Sequence, residues 1–169
     1  MQAEDDLRRW LSSHGAPPEW REHPATPTVA DAARIKGTLP TGHSKSLLVQ
    51  EKDKSLTLIT TRGLVRADLK AISKAIGARR FSFAAEETMV RTLGVRPGSL
   101  SPLALIHDRE RQVARVIIDA PLLKEERIWC HPLRNTASVG ISPVSMVAFI
   151  EAHHGPPVRL DVEAPESFT

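Results

Sequence analysis

The sequence predicts an α/β protein of the α+β kind, a single domain built on a mixed, largely antiparallel sheet with helices packed around it. Three observations lead there. A length of 169 residues suits one domain that buries about two thirds of its unfolded surface. Runs with strand character come in adjacent pairs rather than in strict alternation with helices, which argues against a doubly wound parallel sheet. No linker-like stretch separates two cores.

The elements follow in order. EDDLRRWLSSHG (4–15) reads as an amphipathic helix: Leu7, Trp10 and Leu11 share a face, acidic residues favour its N-terminal end, and Gly15 is a natural stop. APPEWREHPATP (16–27) reads as a Pro-rich loop. VADAARIKG (29–37) predicts a short second helix, with Thr28 as N-cap and Gly37 as terminator. SKSLLVQEK and SLTLITT predict a hairpin turning at Asp53-Lys54. RADLKAISKAIG places Leu69, Ile72 and Ile76 at helical spacing. A short strand, RRFSFA, and a helix, AEETMVRTLG, come next. RPGSL is a turn in which Pro97 presets φ and Gly98 supplies a positive φ. LALIHD and QVARVIIDA predict a second hairpin, and the strands RIWCHP and ASVGIS follow. Ser142-Pro143 opens the last helix as N-cap and N1, Gly155 ends it, and PVRLDV returns as a final strand.

Composition narrows the function classes. Hydrophobic residues make up 41% and charged residues 25%, as in an ordinary globular protein. No apolar run approaches the roughly 20 residues of a membrane span, so no membrane partner is expected. The opening MQAEDDLRRW is too acidic for a secretory leader, and a lone cysteine, Cys130, fits a reducing cytosol. A cytoplasmic location is therefore expected. The formal charge is only +3, and basic residues cluster no more densely than in a pair such as Arg79-Arg80. That tolerates a polyanionic partner without demanding one.

Several standard catalytic devices are missing: there is no Walker loop, no GxSxG and no HExxH. Cys130 and His131 are adjacent, so on a strand they point to opposite faces and make a poor joint metal site. His153-His154, just before Gly155, read as helix-end residues complementing the last carbonyls. Two segments are less easily explained. In TGHSKSLL (41–48), Lys45 stands at the mouth of a buried strand, either to hold an anion or simply as a solvated residue. In WCHPLRNTASVGIS (129–142), a bulky strand breaks at His131-Pro132, and Gly140 lies inside the next strand. A glycine there often marks the close approach of another group.

Those residues also carry a resemblance. GHSKSLLVQ, then FSFAAEETMVRTLGVRPGSLSPLALIHD, then HPLRNTASVGISPVSMVAFIE resemble in order and spacing the YbaK/ProX family of aminoacyl-tRNA editing domains, above all its free-standing prolyl-tRNA editing members. The resemblance runs from the first helix to Val162. It implies a barrel-like sheet and hydrolysis of the ester that joins a wrong amino acid to the 3′ end of tRNA, most often alanine on tRNA(Pro). It implies Lys45 as the essential lysine, contacting phosphate or ribose at the acceptor end, and His131 as the histidine of an HPL motif. Asn135, Thr136, Gly98 and Gly140 fall in the family's substrate-binding segments, with His43, Ser44 and Ser46 flanking the lysine.

One departure stands out: Ser46 occupies the position after the lysine where prolyl-editing members commonly have Asn. That leaves a deacylase for Ser, Thr or another small amino acid as an alternative to Ala-tRNA(Pro). A non-catalytic tRNA- or synthetase-binding module of the same fold is the rival from another class. The implied partners are mischarged tRNA and prolyl-tRNA synthetase, not DNA, and the implied chemistry uses no cofactor or metal. An aminoacyl ester is already activated, so a protein need only position it, stabilise the oxyanion and exclude the larger proline by pocket size.

Overall fold

Acidic residues at the N-terminal end and one apolar stripe make the first segment a helix, α1 (Gln2–Ser13), which buries Leu7 and Leu11. The computed structural model describes residues 2–25, 41–63 and 65–163; the helix expected at 29–37 lies outside them. The 16–27 segment, expected as loop, contains a short strand, β1 (Glu19–Glu22). Its alternation turns Trp20 onto the main core, and it pairs antiparallel along Ala137–Gly140.

The first hairpin forms as expected. β2 (Ser44–Gln50) and β3 (Leu56–Arg62) pair from Ser44 opposite Arg62 to Gln50 opposite Leu56. The turn puts Lys54 at φ 73°, and the Asp53 carboxylate accepts the Ser55 N–H. α2 (Leu69–Ala75) follows, capped by the Asp68 carboxylate. The next strand shrinks to β4 (Ser82–Phe83), which pairs with Val49 and Gln50 at the edge of β2. α3 (Glu86–Leu93) ends at Gly94.

The second expected hairpin does not form. LALIHD is a 3-10 helix (Pro102–His107), because Ser101 caps it, Pro102 fixes its first φ, and Leu103 to Leu105 are buried. The Asp108 carboxylate then takes the N–H groups of Gln112 and Val113 and aims the chain into β5 (Val113–Asp119). That strand runs parallel to β3. A second 3-10 turn (Ala120–Lys124) leads to β6 (Ile128–Cys130) and β7 (Ala137–Ile141), which pair antiparallel. α4 (Pro143–His153) starts at its Ser142 cap, and β8 (Val158–Leu160) joins β5 in parallel.

The strands make two sheets, β1-β7-β6 and β4-β2-β3-β5-β8. The architecture is thus mixed, with helices around it. A single parallel bridge, His43 to Trp129, joins the two sheets, and among the described residues the strands do not close into a barrel. The main core lies on one face of the five-stranded sheet, where Leu48, Leu58, Val116 and Ile118 meet residues of α1, α3, α4 and the smaller sheet. The opposite face carries Val49, Ile59 and Ile117 against Ile72 of α2.

Candidate functional site

The bridge between the sheets is where the two unexplained segments meet. Gly42 makes it possible. Its φ is 99°, and a Cβ there would collide with the Arg127 carbonyl. Trp129 N–H donates to the Gly42 carbonyl at 2.9 Å, and the Ser44 hydroxyl donates to the Trp129 carbonyl at 2.6 Å. Lys45 and His131 each follow two residues after the bridged pair, on neighbouring parallel segments. Residues 85 positions apart are thereby set at one corner of the fold.

At this corner no described strand covers the middle of the β2 edge. Odd-numbered residues of β2 face β3 with their hydrogen-bonding groups, as Gly63 N–H to His43 O and Glu51 N–H to Ser55 O show at either end. Even-numbered residues face the other way: Leu48 O accepts from Ala84 N–H of the β4 side, and Gly42 O from Trp129. Ser46 falls between these two, where among the described residues no strand pairs with it. Side chains alternate similarly. Lys45 is exposed and lines a cleft of about 620 Å³ with Leu47, Arg66, Leu69 and Phe83. The Ser46 hydroxyl turns to the other face and shares a 2.7 Å hydrogen bond with Thr60.

His131 is held on both its ring and its backbone. Its Nδ1 donates to the Ala137 carbonyl at 2.8 Å, and its own carbonyl accepts from the Ser101 hydroxyl at 2.7 Å. Ser101 also caps the 3-10 helix that begins just after Gly98, whose φ is 94°. The Gly98 turn is therefore tied to the HPL segment. The ring of His23 stands 6.0 Å from that of His131 and meets the Ser138 hydroxyl at 2.8 Å. Thr136 accepts the His23 N–H on its carbonyl and an Arg134 N–H on its hydroxyl, and Asn135 is half-buried beside it.

Arg134 fixes this loop to two other elements. Its guanidinium reaches both oxygens of Glu4 on α1 and both of Glu22 on β1, at 2.8 to 3.1 Å. Hydrogen bonding to Arg134 holds both carboxyl groups below the usual range, and the two carboxylates hold the guanidinium above its own.

The close neighbour that Gly140 admits is an indole. A Cβ on Gly140 would lie 2.7 Å from the Trp129 ring, and β7 is paired on both sides, with β1 and β6. The backbone of Gly140 is thus occupied, and Arg127 also donates to its carbonyl. Burial pushes the Cys130 thiol up to about 12, which leaves it protonated and inert at neutral pH. His153 and His154 meet the carbonyls of Phe149 and Val113, so both serve structure. Among the described residues no group of three or more His, Cys, Asp or Glu is placed to hold a metal, and no helix is long and apolar enough to cross a membrane.

Sequence reasoning missed Ser101, Arg134 and His23 as organisers of the corner. A Ser-Pro cap signal was present at Ser101-Pro102, matching that at Ser142-Pro143, but it was hidden inside an apolar run that reads as strand. Nothing in sequence pairs Arg134 with partners more than 100 residues away.

The scaffold is a mixed α/β domain in which the lysine-bearing segment is bridged to the strand that leads into the HPL segment. The chain belongs to the aminoacyl-tRNA editing domain family, whose model matches residues 23–149. It is 32% identical over 144 residues to prolyl-tRNA synthetase associated domain-containing protein 1 of Danio rerio, covering 84% of this chain and 78% of that one. It is 27% identical over 112 residues to the prolyl-tRNA editing protein ProX of Acetoanaerobium sticklandii, covering 66% and 61%. Its fold matches a crystal structure described as a candidate trans-editing enzyme for prolyl tRNA synthetase with a TM-score of 0.72, over 96% of this chain and 98% of that one, at 19% identity.

Proposed function

We propose that this protein is a trans-acting aminoacyl-tRNA deacylase that hydrolyses the ester of mischarged tRNA, with Ala-tRNA(Pro) as its leading substrate. The observation that carries this reading is the joining of residues 42–44 to Trp129 at the sheet seam, two residues short of Lys45 and His131 respectively, in a chain of the editing family. Lys45 offers its ammonium to a phosphate or ribose oxygen of the acceptor end. His131, fixed on two sides, offers a ring edge to the same end. Water adds to the ester carbonyl, the bond to the ribose oxygen breaks, and the free amino acid and the restored tRNA hydroxyl leave. Donors for the oxyanion come from the N–H of Ser46, on an edge that no described strand pairs, and from the Gly98 turn, rather than from the fully paired Gly140. The neighbouring ribose hydroxyl orients the water, so no side chain need act as a base. Prolyl-tRNA synthetase, which makes the error, is the second partner of this reading.

One observation favours a second substrate. Ser46 stands directly after the lysine, where prolyl-editing members commonly have Asn, and that departure suits a deacylase for Ser, Thr or another small amino acid. The test is a panel of tRNAs charged with Ala, Ser, Thr, Cys and Pro. Rapid hydrolysis of Ala-tRNA(Pro), with Pro-tRNA(Pro) spared, is the expected result; preference for Ser or Thr selects the second reading. Lys45→Ala is expected to slow deacylation about a hundredfold or more, the scale of a lost positioning contact, with thermal stability unchanged. Full activity in that variant would remove Lys45 from the mechanism.

A further inference from the structure

Three large apolar side chains stand exposed among the described residues, Val90, Val144 and Phe83, and only Phe83 is aromatic. It is 65% exposed. Its backbone is pinned, because β4 pairs Phe83 with Val49 and the next residue donates its N–H to Leu48 O. Phe83 opposes Val49 across the strand pair and so shares a sheet face with Lys45 and Leu47. There α2 covers Val49 but leaves the corner beyond it open, and Phe83 and Lys45 line one cleft.

The charges around that cleft point to the occupant. Arg66 lines it beside Lys45. Two carboxylates also border it: Asp68 is engaged in capping α2, and Glu163 follows β8. The next groove along α2, about 720 Å³, is lined by Lys70, Lys74 and Arg80 with no carboxylate. Lys70, Lys74, Arg66 and Arg80 are all exposed. A rigid, exposed ring flanked by cations that continue along one side is the chemistry of single-stranded nucleic acid, in which a base stacks on the aromatic face and phosphates follow the basic track.

We propose that Phe83 is a stacking platform for an unpaired base of the single-stranded RNA 3′ end, whose phosphates lie toward Arg66 and the Lys70–Lys74 side of α2. This rests on the deacylase reading for the identity of the RNA, but its physical content is a binding contact and is measured separately. An explicit role follows for a residue that is otherwise an unfavourably exposed aromatic: it sets the depth to which the charged terminus enters beside Lys45.

The test uses fluorescence anisotropy with two uncharged RNA hairpins, one blunt and one ending in four unpaired nucleotides, ACCA. Phe83→Ala is expected to weaken binding of the tailed hairpin about tenfold, the order of one lost base–aromatic stack, and to leave the blunt one unchanged. Phe83→Trp should restore binding and Phe83→Leu should not. Arg66→Ala should lower the salt dependence of tailed binding by about 0.7 in log–log slope, as for one phosphate of a single strand. Equal binding of the tailed RNA by wild type and Phe83→Ala, or full rescue by leucine, overturns the platform. Steady-state deacylation separates the two readings. If Phe83→Ala keeps the wild-type KM on a charged tRNA that the protein does hydrolyse, the platform fails and the deacylase stands. If tailed binding depends on Phe83 while none of the charged tRNAs is hydrolysed, the platform stands and the deacylase fails.

Discussion

Arg134 and Glu4, 130 residues apart, meet through two parallel N–H···O hydrogen bonds of 3.1 and 3.0 Å. The same guanidinium grips Glu22, so one side chain fastens the HPL loop to both α1 and β1. Forked, charge-assisted contacts of this kind are stronger and more directional than neutral ones.

Arg134→Ala is therefore expected to cost about 1–2 kcal/mol, the range for hydrogen bonds to charged groups, reduced because the cluster is part-exposed. Arg134→Lys keeps the charge but loses the fork, and should recover less than half of that. Urea unfolding midpoints measure the loss. Amide exchange at residues 131–136 should speed up in Arg134→Ala before any global change appears.

The same cluster sets a response to acid. Glu4 has its folded-state pKa lowered from 4.5, first by hydrogen bonding to Arg134. A carboxyl depressed in the folded state contributes stability that is fully present above its unfolded value and is lost as pH falls through the folded value. Stability should thus fall below about pH 4.5. Glu4→Gln should be less stable than wild type at pH 7 and should show a shallower loss between pH 5 and pH 3, as read from thermal midpoints across that window.

Gly42 is the residue whose substitution should open the seam. Alanine there would combine a φ of 99° with a collision against the Arg127 carbonyl. A destabilisation of at least about 2 kcal/mol is expected from strain of that kind. Deacylation should fall further than stability alone explains, because the bridge also ties the lysine segment to the strand that leads into the HPL segment. Activity measured well below the melting temperature checks this; an active, stable Gly42→Ala protein would show that the seam tolerates displacement.

Much of this was legible in the residues. Local signals located α1, the first hairpin, α2, α3 and the Ser142-capped α4 because caps, periodicity and turn chemistry act within a few residues. LALIHD misleads for a physical reason: a buried 3-10 helix and a buried strand both present an apolar run, and only the Ser101 hydroxyl contact tells them apart. β1 was hidden in a proline-rich stretch because its four residues gain their order from β7 rather than from each other. At the site, Lys45 and His131 were visible as residue types in family order. The devices that hold the corner, Arg134 on Glu4 and Glu22 and Ser101 on His131, join residues 30 to 130 positions apart. No local pattern encodes such pairs. Gly140 was rightly read as a place of close approach, but the approaching group is a tryptophan from the adjacent strand.

The lone bridge at His43 and Trp129 also has a meaning for biosynthesis. During translation the lysine segment emerges early, yet its neighbour across the seam is made 85 residues later, and β7, which β6 pairs with, later still. A nascent chain lacking those strands carries the lysine on its hairpin but without the neighbour across the seam. The corner thus comes into being only after β6 and β7 have been made, and a nascent copy that has not reached them is expected to leave the charged tRNAs around it untouched.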